Sequence, residues 1–263
     1  MPELPEVETI RRQLEPWLVG REVLYAGSHP SEKFLPARDT IGAVFEQVNR
    51  RGKFLLISLD DDSELIIHLG MTGQLRPFSD ISDPYLRAWW QLDDGRILGF
   101  RDVRRFGRIR IAHDGIYEGL LGTLGPEPLS EEFTANHLYT QIKKSNRRLK
   151  TQLLSQKPVA GVGNIYADEA CFRANLYPGV RKITVKQAEK LHLAIRNVLS
   201  EGLVHRGTTL RDYVNVDGEQ GGFQKYLQCY GRAGEPCITC GELLRKVTLD
   251  GRGTTYCQLC QRR

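Results

Sequence analysis

The 263-residue chain has no run approaching the roughly 20 apolar residues that span a bilayer, and its first residues lack the basic flank, apolar stretch and small-residue cleavage site of a secretory signal. No membrane partner and a cytoplasmic location are the expectations that follow. It also lacks internal repeats and low-complexity tracts, which excludes solenoid and tail-like architectures. Cysteine is scarce until the end: four of the six lie in the last 27 residues. That clustering argues against a disulfide framework and for a metal.

What is there suffices for a good core. With 40% hydrophobic and 26% charged residues, the chain most naturally divides into two domains. Lys and Arg number 37 against 32 Asp and Glu, a net +5 that hints at a polyanionic partner.

Val7, Ile10, Leu14, Trp17 and Leu18 recur at helical spacing, so the chain opens on a helix with Pro5 in its first turn. Pro16 should weaken its last turn and Gly20 should end it. From Arg21 to Ala112 the pattern changes to short β-type runs: 44–48, 54–59, 65–69, 87–92, 96–100 and 106–111, punctuated by Gly, Asp and Pro. This spacing predicts an antiparallel sandwich or barrel. Residues 114–130, with Gly125-Pro126-Glu127-Pro128, read as a linker. Helical periodicity follows at 131–145, 147–156, 164–174 and 184–205, with a capping box at Thr184 and Gln187. The expected divisions are thus 1–113, the linker, a helical domain over 131–228 that includes a long mobile loop at 207–223, and a metal-bound unit over 229–263.

The sharpest motif is Cys237-x-x-Cys240, sixteen residues, then Cys257-x-x-Cys260. Two such knuckles supply four thiolates for one structural Zn2+, and Asp250-Gly251-Arg252-Gly253 makes a tight hairpin turn between them. All four ligand positions are then filled, so the metal does no chemistry itself. It would hold Arg252 at a rigid tip, although Arg252 read locally is a solvated turn arginine. The stretch 101–110 packs five arginines around Phe106, which suits either a solvated basic face or a wedge between bases. Arg147, Arg148 and Lys150, followed by Gly161-Val162-Gly163-Asn164, put basic side chains and a glycine turn before a helix N-terminus, a ready phosphate site or simply a helix connection. At the other end, Pro2, Glu3, Pro5, Glu6 and Glu8 are ordinary helix-start chemistry. Removal of Met1 would nevertheless make Pro2 a secondary amine, which is a nucleophile.

The order of these stretches is distinctive. Pro-Glu-Leu-Pro-Glu-Val-Glu-Thr, Arg-Arg-Gly-Lys, His-Leu-Gly-Met-Thr-Gly, Asp-Val-Arg-Arg-Phe-Gly, Gly-Val-Gly-Asn-Ile-Tyr and the terminal zinc ribbon together resemble bacterial formamidopyrimidine-DNA glycosylase over essentially the whole chain. The resemblance implies an α+β fold: an N-terminal helix with an antiparallel β-sandwich, then a helix-two-turn-helix domain with a zinc-ribbon finger. It implies a bifunctional glycosylase and abasic-site lyase acting on oxidised purines in damaged double-stranded DNA, as a monomer. Pro2 then matches the nucleophile, Glu3 the acid, Glu6 a supporting buried carboxylate, Lys53 the lysine of lesion recognition and β-elimination, and Arg252 the fingertip arginine of δ-elimination. His68, Lys150 and Asn164 match phosphate contacts, Met71, Arg104 and Phe106 the triad filling the gap of a flipped base, and Thr208 to Tyr213 the loop closing over it. Tyr230 joins the DNA-contacting set. So do Arg87 and Asn146, at both of which the chain departs from the family: many members have His-Asp-His where Tyr85-Leu86-Arg87 stands, and a basic residue at 146. Two alternatives stay open, an endonuclease VIII-like enzyme for oxidised pyrimidines and a zinc-ribbon DNA-binding protein without catalysis.

Overall fold

A computed structural model describes residues 1–113, 115, 119 and 121–262. The linker expected over 114–130 therefore begins on residues outside this set. The described residues fall into two compact units, 1–122 with 205–222, and 123–204 with 223–263.

Unit 1 opens on α1 (Leu4–Leu18), whose residues Val7, Ile10, Leu14 and Leu18 are fully or nearly fully buried. Pro5 sits in the first turn, where a missing N–H costs nothing, and Pro16 is carried inside the helix to Leu18. Eight strands follow: β1 (Val23–Ser28), β2 (Phe45–Arg51), β3 (Phe54–Leu59), β4 (Ser63–His68), β5 (Gly73–Phe78), β6 (Leu86–Leu92), β7 (Ile97–Asp102) and β8 (Arg108–His113). They form two antiparallel sheets, ordered β1-β6-β7-β5 and β2-β3-β4-β8. One core joins both sheets to α1. The two strands the sequence pattern misses, β1 and β5, are both sheet edges. An edge strand needs no strict alternation and tolerates Pro77 in β5. The basic stretch 101–110 is not one strand: Arg105 takes a left-handed φ of 55° and turns the chain between β7 and β8.

Unit 2 holds α2 (Ala135–Lys143), α3 (Leu149–Leu154), α4 (Asn164–Arg173), α5 (Val185–Val204) and a hairpin of β9 (Arg245–Leu249) and β10 (Arg252–Tyr256). The expected capping box is closed in both directions, Thr184 N donating to Gln187 Oε1 and Gln187 N to Thr184 Oγ1. Asp250 and Gly251, with φ of 47° and 76°, make the tight turn before Arg252. The 207–223 segment differs from its expected place: residues 205–222 pack with unit 1. Among the described residues, no helix is long and apolar enough to cross a membrane.

Candidate active site and nucleic-acid contacts

In unit 1 the start of α1 is buried, with Glu3 2% and Glu6 1% exposed. Glu6 explains the burial. Its Oε2 accepts from Glu3 N at 2.7 Å, closing the helix start, and its Oε1 accepts from Thr208 N at 2.7 Å. Two N–H donors on opposite sides call for a group that accepts with both oxygens, which a carboxylate does and an amide does not. Gly207, at φ 82°, passes so close that a Cβ would stand 2.7 Å from Glu6 Cγ, so a side chain there would break the arrangement. Tyr213 completes the loop's attachment, its single hydroxyl proton shared between the carbonyls of Glu6 at 3.4 Å and Arg206 at 3.2 Å. Further out, Val216 N donates to Gln13 Oε1 and Gln13 Nε2 to Asp217 Oδ2. The segment expected to be mobile is thus tied to α1 along its length.

Lys53 lies in the β2–β3 turn and is 2% exposed rather than solvated. Arg50 fixes that turn, bridging Glu8 of α1 at 3.0 Å and the Gly52 carbonyl at 3.0 Å. Burial lowers the pKa of the Met1 amine, with Lys53 adding to the effect while Glu3, Glu6 and Asp212 oppose it. The amino end of the chain therefore shares one electrostatic neighbourhood with Glu3, Glu6, Lys53 and the 208–213 loop.

His68 pairs across the sheet with Phe54, next to Lys53, and packs against the Phe54 ring with the centroids 4.7 Å apart and the planes tilted by 41°. Burial, with the charges of Lys53 and Arg108, lowers it from 6.5 to about 4. Gly70 N donates to its Nδ1, which assigns the proton to Nε2 as a neutral donor. Just beyond, Met71, Arg104 and Phe106 are all exposed on two turns in direct contact. The Arg104 guanidinium lies 5.4 Å from the centre of the Phe106 ring.

In unit 2 the four cysteine sulfurs lie within 4.8 Å of one another, with Cys237–Cys260 at 3.9 Å and Cys240–Cys257 at 3.5 Å. Four sulfurs about 2.3 Å from a tetrahedral zinc stand about 3.8 Å apart, so these residues fit one structural Zn2+. Burial disfavours the Cys237 thiolate, yet the Thr239 and Cys240 N–H groups bring the thiol down to about 7. A thiol so lowered gives up its proton to water readily and can meet a metal as the thiolate. α4 anchors this finger with two consecutive buried carboxylates. Glu169 accepts from the N–H groups of Gln228, Cys229 and Tyr230, and Asp168 Oδ2 from Thr255 N. The fingertip turn is held from α3, Asp250 taking Arg148 Nη1 at 2.6 Å and Thr151 Oγ1 at 2.5 Å. Arg252 itself is exposed. At the head of α4, Gly163 is the N-cap and Asn164 Nδ2 donates to the Tyr230 hydroxyl at 3.3 Å.

Comparison with known proteins places each part. Residues 1–109 match the formamidopyrimidine-DNA glycosylase N-terminal domain, 124–214 its H2TH domain, and 234–263 the zinc finger found in FPG and IleRS. The chain is 45% identical to the formamidopyrimidine-DNA glycosylase of Thermus thermophilus, covering 99% of this chain and 98% of that one, and 42% identical to that of Bacillus licheniformis over the whole of both. The chain belongs to the formamidopyrimidine-DNA glycosylase family. Its fold matches the crystal structure of the Thermus thermophilus MutM (Fpg) protein with a TM-score of 0.93 at 44% identity, over 99% of this chain and 98% of that one. It matches wild-type Lactococcus lactis Fpg in complex with N7-benzyl-Fapy-dG DNA with a TM-score of 0.92 at 32% identity, over the whole of both chains.

Within this formamidopyrimidine-DNA glycosylase fold, some expected DNA contacts sit elsewhere. Lys150 is 1% exposed; its Nζ pairs with Asp168 Oδ1 at 2.6 Å and donates to Gly253 O and Thr254 Oγ1. Three donors have three internal acceptors, so Lys150 braces the hairpin instead of reaching a phosphate. Arg87 is 9% exposed, its guanidinium donating to the carbonyls of Asp102 and Pro84, and it ties β6 to β7. Thr208 and Tyr213 are 3% and 7% exposed and anchor the loop, whose exposed residues are Leu210 and Arg211. Asn146 is exposed and shares a basic cavity with Arg147, Arg148 and Arg181. Sequence reasoning passed over Asp102, Asp168 and Glu169, acids inside segments read for their basic or glycine residues. Adjacent acids on an otherwise apolar helix face were the available signal for the last two.

Proposed function

We infer that this family member removes oxidised purines, 8-oxoguanine and formamidopyrimidines, from duplex DNA and then cuts the strand, as a monomeric cytoplasmic enzyme of base-excision repair. It is a DNA glycosylase with abasic-site lyase activity. The observation that carries the reading is the buried cluster at the start of α1: Glu3 and Glu6 beside Lys53, with the 208–213 loop hydrogen-bonded to Glu6.

A base within a duplex is out of reach, so the nucleotide must leave the stack, at a cost of about a few kcal/mol. The exposed Met71, Arg104 and Phe106 would fill the gap and offset part of that cost. Once Met1 is removed, Pro2 carries a secondary amine whose lone pair attacks C1′ while the damaged base departs. Glu3 donates a proton to the sugar oxygen as the ring opens. The product is an iminium, cationic without a further proton, which acidifies the C2′ hydrogen. Its loss breaks the C3′–O bond, and a second elimination breaks C5′–O. Lys53 serves the first elimination and Arg252 the second. His68 and the α4 N-terminus at Asn164 bind backbone phosphates, the former as a neutral donor.

Borohydride added during turnover of an 8-oxoguanine:cytosine duplex should trap a covalent adduct, and peptide mapping should place it on Pro2. Chain whose N-terminus is blocked should neither trap nor cut. Cutting by the blocked chain would sink the mechanism, and preference for thymine glycol over 8-oxoguanine would move the enzyme to the pyrimidine-directed class.

A further inference from the structure

Asp102 ends β7 with no exposed surface, and no step above uses it. Its carboxylate nevertheless sits where the two exposed turns meet. Oδ1 accepts from Thr72 Oγ1 at 2.5 Å, and Oδ2 accepts from Gly107 N at 2.7 Å. Thr72 Oγ1 in turn accepts from Arg104 N at 3.3 Å. Thr72 follows Met71 in one turn, while Arg104 and Gly107 flank Phe106 in the other. The turns touch as well: a Cβ on Gly70, at φ 65°, would stand 2.5 Å from Gly107 N. The main-chain oxygen of Asp102 accepts from the buried Arg87 at 2.8 Å, which fixes the backbone that carries the carboxylate.

We propose that Asp102 is a positioning residue for nucleotide extrusion, binding the Met71 turn to the Arg104–Phe106 turn as one rigid wedge. The inference rests on the functional reading above. A wedge stabilises an extruded state only if its side chains arrive already in place, because ordering loose turns on binding consumes the same free energy that their contacts release. Two separate exposed turns would have to be ordered against each other. A carboxylate buried between them, accepting from donors on both, removes that need, and its charge-assisted hydrogen bonds in a dry environment are directional and strong.

Asp102→Asn keeps the shape but turns an NH2 group toward either Thr72 or Gly107 N–H. The full zinc-loaded chain would be assayed on two substrates: an 8-oxoguanine:cytosine duplex, which needs extrusion, and a single-stranded abasic oligonucleotide, which has no partner strand to leave. We expect kcat/KM on the duplex to fall roughly tenfold or more, with single-stranded scission within about twofold of wild type. Thr72→Val removes only the hydroxyl link and should show the same selective loss; Thr72→Ser should restore the duplex activity. Unchanged duplex activity in both Asp102→Asn and Thr72→Val, or an equal fall on both substrates, overturns the proposal. A wild-type chain that cleaves neither substrate overturns the functional reading, and this inference with it.

Discussion

His68 shows how one side chain carries both a site and a pH dependence. Its imidazole is half-buried against Phe54, with the Lys53 and Arg108 charges nearby, and these hold it at about 4 against an ordinary 6.5. The unfolded chain thus binds a proton that the folded chain refuses between those two values. The neutral ring's contribution to stability is complete above 6.5 and is lost as pH falls toward 4. Thermal melting should therefore show the wild type losing stability faster than His68→Gln between about pH 7 and pH 5. A gap between the two proteins that is flat or widens in favour of the wild type on acidification would refute the assignment. The same neutrality bears on DNA binding: a histidine that donates from Nε2 without charge adds a directed hydrogen bond but no counterion release. Its removal should leave the salt dependence of binding nearly unchanged.

At the scale of elements, the fingertip hairpin is held by α3 and α4 more than by its own turn. The buried Lys150–Asp168 pair reaches Gly253, Thr254 and Thr255, all within three residues of Arg252, while the exposed Arg148–Asp250 pair adds a surface contact. Deleting one member of a buried pair leaves the other charge desolvated. Lys150→Met should cost about 3–5 kcal/mol in denaturant unfolding, and Lys150→Met with Asp168→Leu should recover much of it. The double variant should also keep the salt slope of DNA binding; a slope lower by about one would mean that Lys150 meets a phosphate after all. Elements with strong local signals were legible from residues alone: α1 by its apolar stripe, the cysteine knuckles by spacing, α5 by its capping box. The edge strands β1 and β5 were not, because their burial is decided by partners distant in sequence. Site residues followed the same division. The place of Arg252 at a hairpin turn was legible from spacing. Read locally, however, Pro2 was a helix start and Arg252 a solvated arginine, and the roles proposed for them and for Arg104 came only through the family resemblance. The inward turn of Lys150 and Arg87, and the hub at Asp102, depend on which carbonyls and amides the fold brings near, and periodicity holds no record of that.

At the scale of the whole molecule, unit 1 and the finger draw their stability from different sources, one apolar and one metallic. Unit 1 is held by a core that runs from α1 through both sheets, whereas the finger's apolar cluster among the described residues is small, with Phe172, Cys229 and Leu244 packed around the ligand residues Cys237 and Cys257. Too few side chains are buried there to fold the finger without zinc, whose binding free energy is its folding free energy. The chain supplies its own reporter for separating the two: its three tryptophans, Trp17, Trp89 and Trp90, all lie in unit 1. Stripping zinc with a chelator, or replacing Cys257 with Ala, should abolish binding to a lesion duplex while tryptophan emission and its thermal transition stay where they were. Arg252 then loses its rigid support and Tyr230 its attachment, although nothing in unit 1 has changed. If emission shifts to the red together with zinc release, the units unfold as one cooperative body; if lesion binding survives the loss of zinc, the finger has no part in holding DNA.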